Sequence, residues 1–233
     1  MKGFGAPKRN KNKRTTKPFK DISLEKLTSK ALEYQSVGNI LEASKYYKLL
    51  IDKGLQNPNI FANYGLICQQ TAQIEKALKF YQKSIDIFPN NPMVLSNMGI
   101  ILKNLGKLHE AEISMRRAIE INPNFPDAHC NLGNTLRDLG KLKQAESHTR
   151  KAIQLKPDYA IAHSNLGHIL RDLERQKEAD VFARRAIKLN PNFADAHLLL
   201  GLILRDLKNL QGAELHTRKA IQLKPDYAIA HSN

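Results

Sequence analysis

The chain has 233 residues, 42% of them apolar and 25% charged, the composition of an ordinary folded protein rather than of a fibrous or low-complexity one. No apolar run approaches the roughly 18 residues that a membrane span needs. The N-terminus lacks the apolar core of a secretory signal. Cys68 and Cys130 offer neither a CxxC metal pattern nor a disulfide framework, so a reducing, cytoplasmic setting is expected.

The net charge of +15 is unevenly spread. The first twenty residues hold eight lysines and arginines and no acid, and the other 213 hold 29 bases and 22 acids. Residues 1–23 therefore read as a basic arm that cannot bury enough apolar surface to offset its ordering entropy.

From Leu24 onward a 34-residue pattern recurs. In the copy at 126–159, Ala128, Leu132, Leu136 and Leu139 form one helical stripe. Gly140 ends that helix in a left-handed conformation. Leu142, Ala145, Thr149, Ala152 and Ile153 form a second stripe, and Pro157 stops it. Each copy is thus a helix, a tight turn and a second helix, a pair too small to bury its own apolar faces. The frame gives a degenerate first repeat at 24–57, full repeats at 58–91, 92–125, 126–159, 160–193 and 194–227, and the start of a seventh at 228–233. Ala43, Ala77, Ala111, Ala145, Ala179 and Ala213 keep the register, and Gly65, Gly99, Gly133, Gly167 and Gly201 precede the last five by twelve residues. A mid-helix glycine costs roughly 1 kcal/mol against alanine, so five in register predict a close approach of two helices. Residues 148–165 and 216–233 are identical, at a shift of two repeats. The array therefore reads as grown by copying, and it is expected to continue beyond Asn233.

These residues resemble the tetratricopeptide repeat family over 24–233. The third full repeat shows its pattern in His129, Leu132-Gly133, Leu136, Ala145, Thr149, Ala152 and Pro157, and the repeat at 58–91 is nearer the type with Phe61, Tyr64-Gly65, Ala77, Tyr81 and Pro89. The chain departs from the pattern in lacking tryptophan, in placing histidine at the first aromatic position, and in replacing the second aromatic by Thr149, Ala183 and Thr217. The resemblance implies an all-α, right-handed superhelical solenoid of helix-turn-helix repeats whose first helices line a concave groove.

On a helical wheel the second, sixth, ninth and thirteenth residues of each repeat face away from the apolar stripe. The sixth reads Asn63, Asn97, Asn131, Asn165, Leu199 and Asn233. A carboxamide both donates and accepts, which matches a peptide backbone, and the row is similar to the asparagine ladder of O-linked N-acetylglucosamine transferases. Two readings stay open: the asparagines hold an extended chain, or they bond within the stack. Asn134 lies beside them. Arg137, Asp138, Arg171, Asp172, Arg205 and Asp206 repeat on the groove flank, either selecting a polar segment or pairing between repeats. The groove does not complete the paired-base clamp that holds a C-terminal carboxylate, because Asp195 and Leu199 stand where two clamp residues belong.

His129, His163, His197 and His231 fall on the core side and read as aromatic substitutes in packing. No HExxH, GxSxG or phosphate-loop pattern occurs, so no catalytic residue, metal or cofactor is expected. The expected function is a non-catalytic protein–protein interaction scaffold that binds an extended polypeptide in its groove. The alternative is the substrate-recruiting part of a larger glycosyltransferase, sulfotransferase or methyltransferase. The expected partner is a protein or peptide segment; the basic arm could add nucleic acid, with only Phe4 and Phe19 available for stacking.

Overall fold

The computed structural model describes residues 22–225; the basic arm at 1–21 and the residues from 226 on, with His231 and Asn233, lie outside the described residues. Twelve α-helices and no strand occur among them. They are α1 (Leu24–Ser36), α2 (Ile40–Asp52), α3 (Pro58–Gln70), α4 (Ile74–Ile87), α5 (Pro92–Asn104) and α6 (Leu108–Ile121), followed by α7 (Pro126–Asp138), α8 (Leu142–Leu155), α9 (Ala160–Asp172), α10 (Gln176–Leu189), α11 (Ala194–Asp206) and α12 (Leu210–Leu223). None is long and apolar enough to cross a membrane. The chain divides into two compact bodies at residue 56.

The first body is the α1–α2 hairpin. Ser23 and Asn39 cap its helices by accepting the Lys26 and Glu42 N–H groups at 3.3 and 3.2 Å. Tyr34 and Tyr46 stack at 5.4 Å, and Tyr47 donates its hydroxyl hydrogen to Gln35.

The second body is a helical-repeat solenoid of five hairpins. Pro58, Pro92 and Pro126 open α3, α5 and α7, where the missing N–H costs nothing. Asn57 and Asn91 add side-chain caps to the first two. Lys156, ahead of Pro157, is extended at φ −140 and ψ 88, and α8 stops at Leu155. Between the helices of each hairpin one residue is left-handed: Gly106 and Gly140 at φ 76 and 72, but also Ala72, Glu174 and Lys208 at φ 56, 60 and 63. After Gly140, the Lys141 N–H donates to the Leu136 carbonyl at 2.8 Å, which satisfies an end carbonyl of α7.

The mid-helix glycines have the packing role that their register predicts. A Cβ added to Gly133 would lie 2.1 Å from the Thr149 hydroxyl oxygen and 3.1 Å from the Ala145 carbonyl. At Gly65 the Tyr81 ring fills that space, and at Gly99 the Met115 side chain does. Leu132, Leu136 and Ala145 are fully buried around this contact. The second helix of a repeat then packs on the first helix of the next, and first helices also touch each other (α5 with α7, α7 with α9, α9 with α11). The second helices therefore fan outward and the first helices line the inner face.

Gly133→Ala tests the close approach directly. Helix propensity alone would favour the substitution by roughly 1 kcal/mol. We expect a net loss of about 1–3 kcal/mol from overpacking, read as a lower urea midpoint; a raised midpoint would remove the close-approach account.

Candidate ligand groove and its flanks

Each groove candidate sits on a first helix, and the structure separates them into three groups. The first is the asparagine row. Asn63, Asn97, Asn131 and Asn165 are all half-buried, but two of them bond backward into the stack. Asn165 Nδ2 donates to Cys130 Sγ at 3.3 Å, and Asn97 bonds the Tyr81 hydroxyl of the preceding repeat. Asn131 and its neighbour one turn on, Asn134, are half-exposed, and their carboxamides have no hydrogen-bond partner among the described residues. The row is thus not one uniform ladder.

Leu199 shows why it breaks. It occupies the asparagine position of α11, yet it is fully buried. Its methyl group approaches Gly167, at 2.8 Å from where a Cβ would stand, within a cluster that includes Leu166, Leu170 and Ala183. Elsewhere Tyr81, Met115 or Thr149 covers the equivalent glycine from its own hairpin. Ala183 is too small to do so, and the next repeat supplies the missing volume.

The second group is charged and already paired. Lys103 meets Asp138 at 2.9 Å, Arg137 meets Asp172 at 2.5 Å and Arg171 meets Asp206 at 2.6 Å, each between consecutive repeats. The inter-repeat pairing, rather than charged display, is the arrangement found. These pairs are partly solvated, so each contributes only about 0.5 kcal/mol. Arg205, at the next step of the series, also has an interaction partner.

The third group consists of neutral side chains between these two. His168 is half-buried at the frame position that Asn134 holds one repeat earlier. Burial lowers its pKa from the usual imidazole range to about 4, with help from the Arg137 charge. At the groove's other margin Tyr159 donates its hydroxyl hydrogen to Asp127 at 2.6 Å, and Lys156 sits over the Tyr159 ring at 4.8 Å. Among the described residues no group of three or more His, Cys, Asp or Glu side chains could hold a metal ion. Burial pushes the Cys130 thiol up to about 12, so it stays protonated and unreactive.

Two features were missed in sequence. One is that the core-side histidines come as stacked pairs. His129 stacks on His148 with ring centroids 5.4 Å apart, His197 on His216 at 5.3 Å, and His163 on Phe182 at 5.9 Å. His129 Nε2 lies 3.0 Å from the Pro123 carbonyl, which only accepts, so that nitrogen carries the proton. Its Nδ1 then accepts from His148 Nδ1–H at 3.1 Å. The 19-residue spacing of His129–His148 and His197–His216 was the available signal. The other is an outer ladder on the second helices. Glu112 accepts from Arg116 one turn on and from Lys141 of the next repeat, and Glu146 likewise from Arg150 and Arg175. The Lys141 bond, with Arg116, lowers the Glu112 pKa; burial alone would raise Glu146, and its two arginines outweigh it. The ladder ends where Asn209 replaces the next base and one oxygen of Asp180 is buried without a partner.

Family models described as tetratricopeptide repeat match residues 58–91, 80–113, 126–159, 160–193 and 179–228. None of the curated proteins matches the chain in sequence. Among solved structures, the APC/C hetero-tetramer Cut9–Hcn1 superposes with a TM-score of 0.81 at 19% identity, over 90% of this chain and 42% of that one. The present chain thus spans about two fifths of that relative's length. Pseudomonas aeruginosa pilF superposes at 0.74 with 17% identity, over 90% and 95% of the two chains. YrrB, described as a TPR protein with an unusual peptide-binding site, superposes at 0.61 with 21% identity, over 82% and 98%. At these identities the likeness is one of fold.

Two measurements test the packing at the site. Burial depresses His129, His148, His168 and His216, the second and third to about 4, so these rings are neutral when folded and charge more readily when unfolded. Stability should be full above about pH 6.5 and fall steadily as pH drops toward 4; His148→Phe should flatten the fall seen in urea midpoints. Leu199→Asn should cost about 2–5 kcal/mol by emptying the space over Gly167, and Ala183→Met in the same chain should recover part of it. Equal losses in the single and double variants would show that the two positions do not share a space.

Proposed function

The chain belongs to the tetratricopeptide repeat family, and from that membership we propose that it is a non-catalytic protein–protein interaction scaffold that receives an extended polypeptide along its first helices. The observation that carries this reading is the pair Asn131 and Asn134. Both carboxamides are half-exposed on α7, and both are without partners among the described residues. A carboxamide presents one acceptor and two donor hydrogens, the complement of a peptide C=O and N–H.

The flanks favour a backbone-reading rather than a charge-reading groove. Asp138, Asp172 and Asp206 are taken by Lys103, Arg137 and Arg171. Along the sixth and ninth positions what remains is neutral: Asn131, Asn134, the outward part of Asn165, and a His168 that burial keeps uncharged at neutral pH, while Asp127 at the margin accepts from Tyr159. Asn63 and Asn97 extend the same line on α3 and α5. An extended chain covers the 8–10 Å between neighbouring helices in about three residues, so bonds two repeats apart fall on well-separated peptide groups. Each contributes about 1 kcal/mol net, which gives weak and sequence-tolerant binding.

The test is fluorescence anisotropy with a library of labelled extended peptides. Asn131→Ala with Asn134→Ala should weaken binding about tenfold or more, consistent with two lost bonds. Asn165→Ala should have a smaller effect, since its donor already serves Cys130. Unchanged affinity in the double variant would remove the groove reading.

A further inference from the structure

The groove leaves the other side of the solenoid unused, and its charge is arranged differently. On α6, α8, α10 and α12 the outermost ridge follows residues spaced four, four and three apart. In α10 these are Lys177, Val181, Arg185 and Lys188. Over the four helices this ridge carries seven cations and one acid, Glu120. Among the described residues none of the seven is in a salt bridge, whereas the acids beside the ridge are already held: Glu110 by Lys107 and Glu178 by Arg175. The outer ladder sets α6, α8 and α10 edge to edge, through Arg116 to Gln144 at 2.8 Å and Arg150 to Glu178 at 3.8 Å.

Large aliphatic side chains stand on the same ridge. Ile113, Val181 and Leu215 are 68%, 62% and 66% exposed. Each is followed one helical turn later by an unneutralised cation, Arg117, Arg185 and Lys219. In α8 Ser147 takes the aliphatic place between Lys143 and Lys151, and in α4 the same ridge reads Glu75, Lys79, Lys83 and Asp86, balanced and without an aliphatic.

We propose that this outer ridge of α6–α12 is a docking surface for an anionic lipid bilayer. Cations in a row attract acidic headgroups, and aliphatic side chains between them enter the acyl boundary just beneath. A phosphodiester backbone would satisfy the cations and leave the aliphatics in water. The second helices fan outward, so the aliphatics protrude from a convex face rather than line a socket for a folded partner. A soft, flat interface accommodates that shape. The proposal is independent of the groove, because it uses only second-helix residues.

The experiment is flotation of the full chain with phosphatidylcholine vesicles, with and without phosphatidylglycerol, at low and high salt. Wild type should bind the anionic vesicles only, and less as salt rises. The combined variant Lys151→Glu, Arg185→Glu and Lys219→Glu should weaken binding about a hundredfold with the N-terminal arm intact. Val181→Ser with Leu215→Ser should weaken vesicle binding several-fold and leave binding to duplex DNA and to polyglutamate unchanged. Vesicle binding undiminished by the three charge reversals would assign it to the arm and overturn the proposal. A loss on charge reversal without a loss on aliphatic replacement would also overturn it, in favour of a soluble polyanion.

Discussion

Every hairpin in the second body depends on one close approach, where a glycine of the first helix leaves room for the second helix or for the side chain that covers it. Gly133 has the Ala145 carbonyl and the Thr149 hydroxyl within reach of where a side chain would begin. That proximity sets the angle at which the two helices cross, and so which face of each is left for the next repeat. The apolar stripes, the order of packing and the orientation of the groove all follow from it. It also explains why the second helix must offer a small or well-shaped residue seven or so positions beyond its start. Too large a group there would separate the helices, and too small a one would leave a void.

The repeat, its helices and its stops were legible because they rest on local chemistry: apolar periodicity, proline and glycine. Which side of each first helix carries the apolar stripe was legible for the same reason, since a helical wheel needs only neighbours in sequence. What could not be read was which polar groups find each other. Asn165 and Asn131 occupy identical frame positions, but only Asn165 meets a cysteine in the repeat before it. Leu199 looked like a groove residue because its depth depends on Ala183, sixteen residues away in another hairpin. His129 was legible as an aromatic substitute, yet the proton it shares with His148 follows from the carbonyl of Pro123, which only the folded loop brings within reach.

The charges of the second body divide by face. On the inner flank Asp138, Asp172 and Asp206 are each matched by a base of the preceding repeat. At the edge between second helices Glu112 and Glu146 each gather two bases. These ladders hold carboxylates where two repeats meet, so the acids are spent at seams. The excess of bases is left to the outermost ridge. Thus, among the described residues of the second body, the unpaired basicity is concentrated on one side, away from the asparagines of the first helices.

The buried Leu199 also bears on what counts as a part in this array. Solenoid repeats are usually treated as interchangeable, with any hairpin able to follow any other. Here the hairpin of α9 and α10 is incomplete without the one after it, because Ala183 leaves a hole that only Leu199 closes. The seam between Leu189 and Ala194 is therefore not a place where the chain can be cut and rejoined at will. An exchange or deletion of single hairpins at that point would join surfaces that do not match. One that moves the two hairpins together would keep them matched, which is the same two-repeat step by which residues 148–165 recur at 216–233.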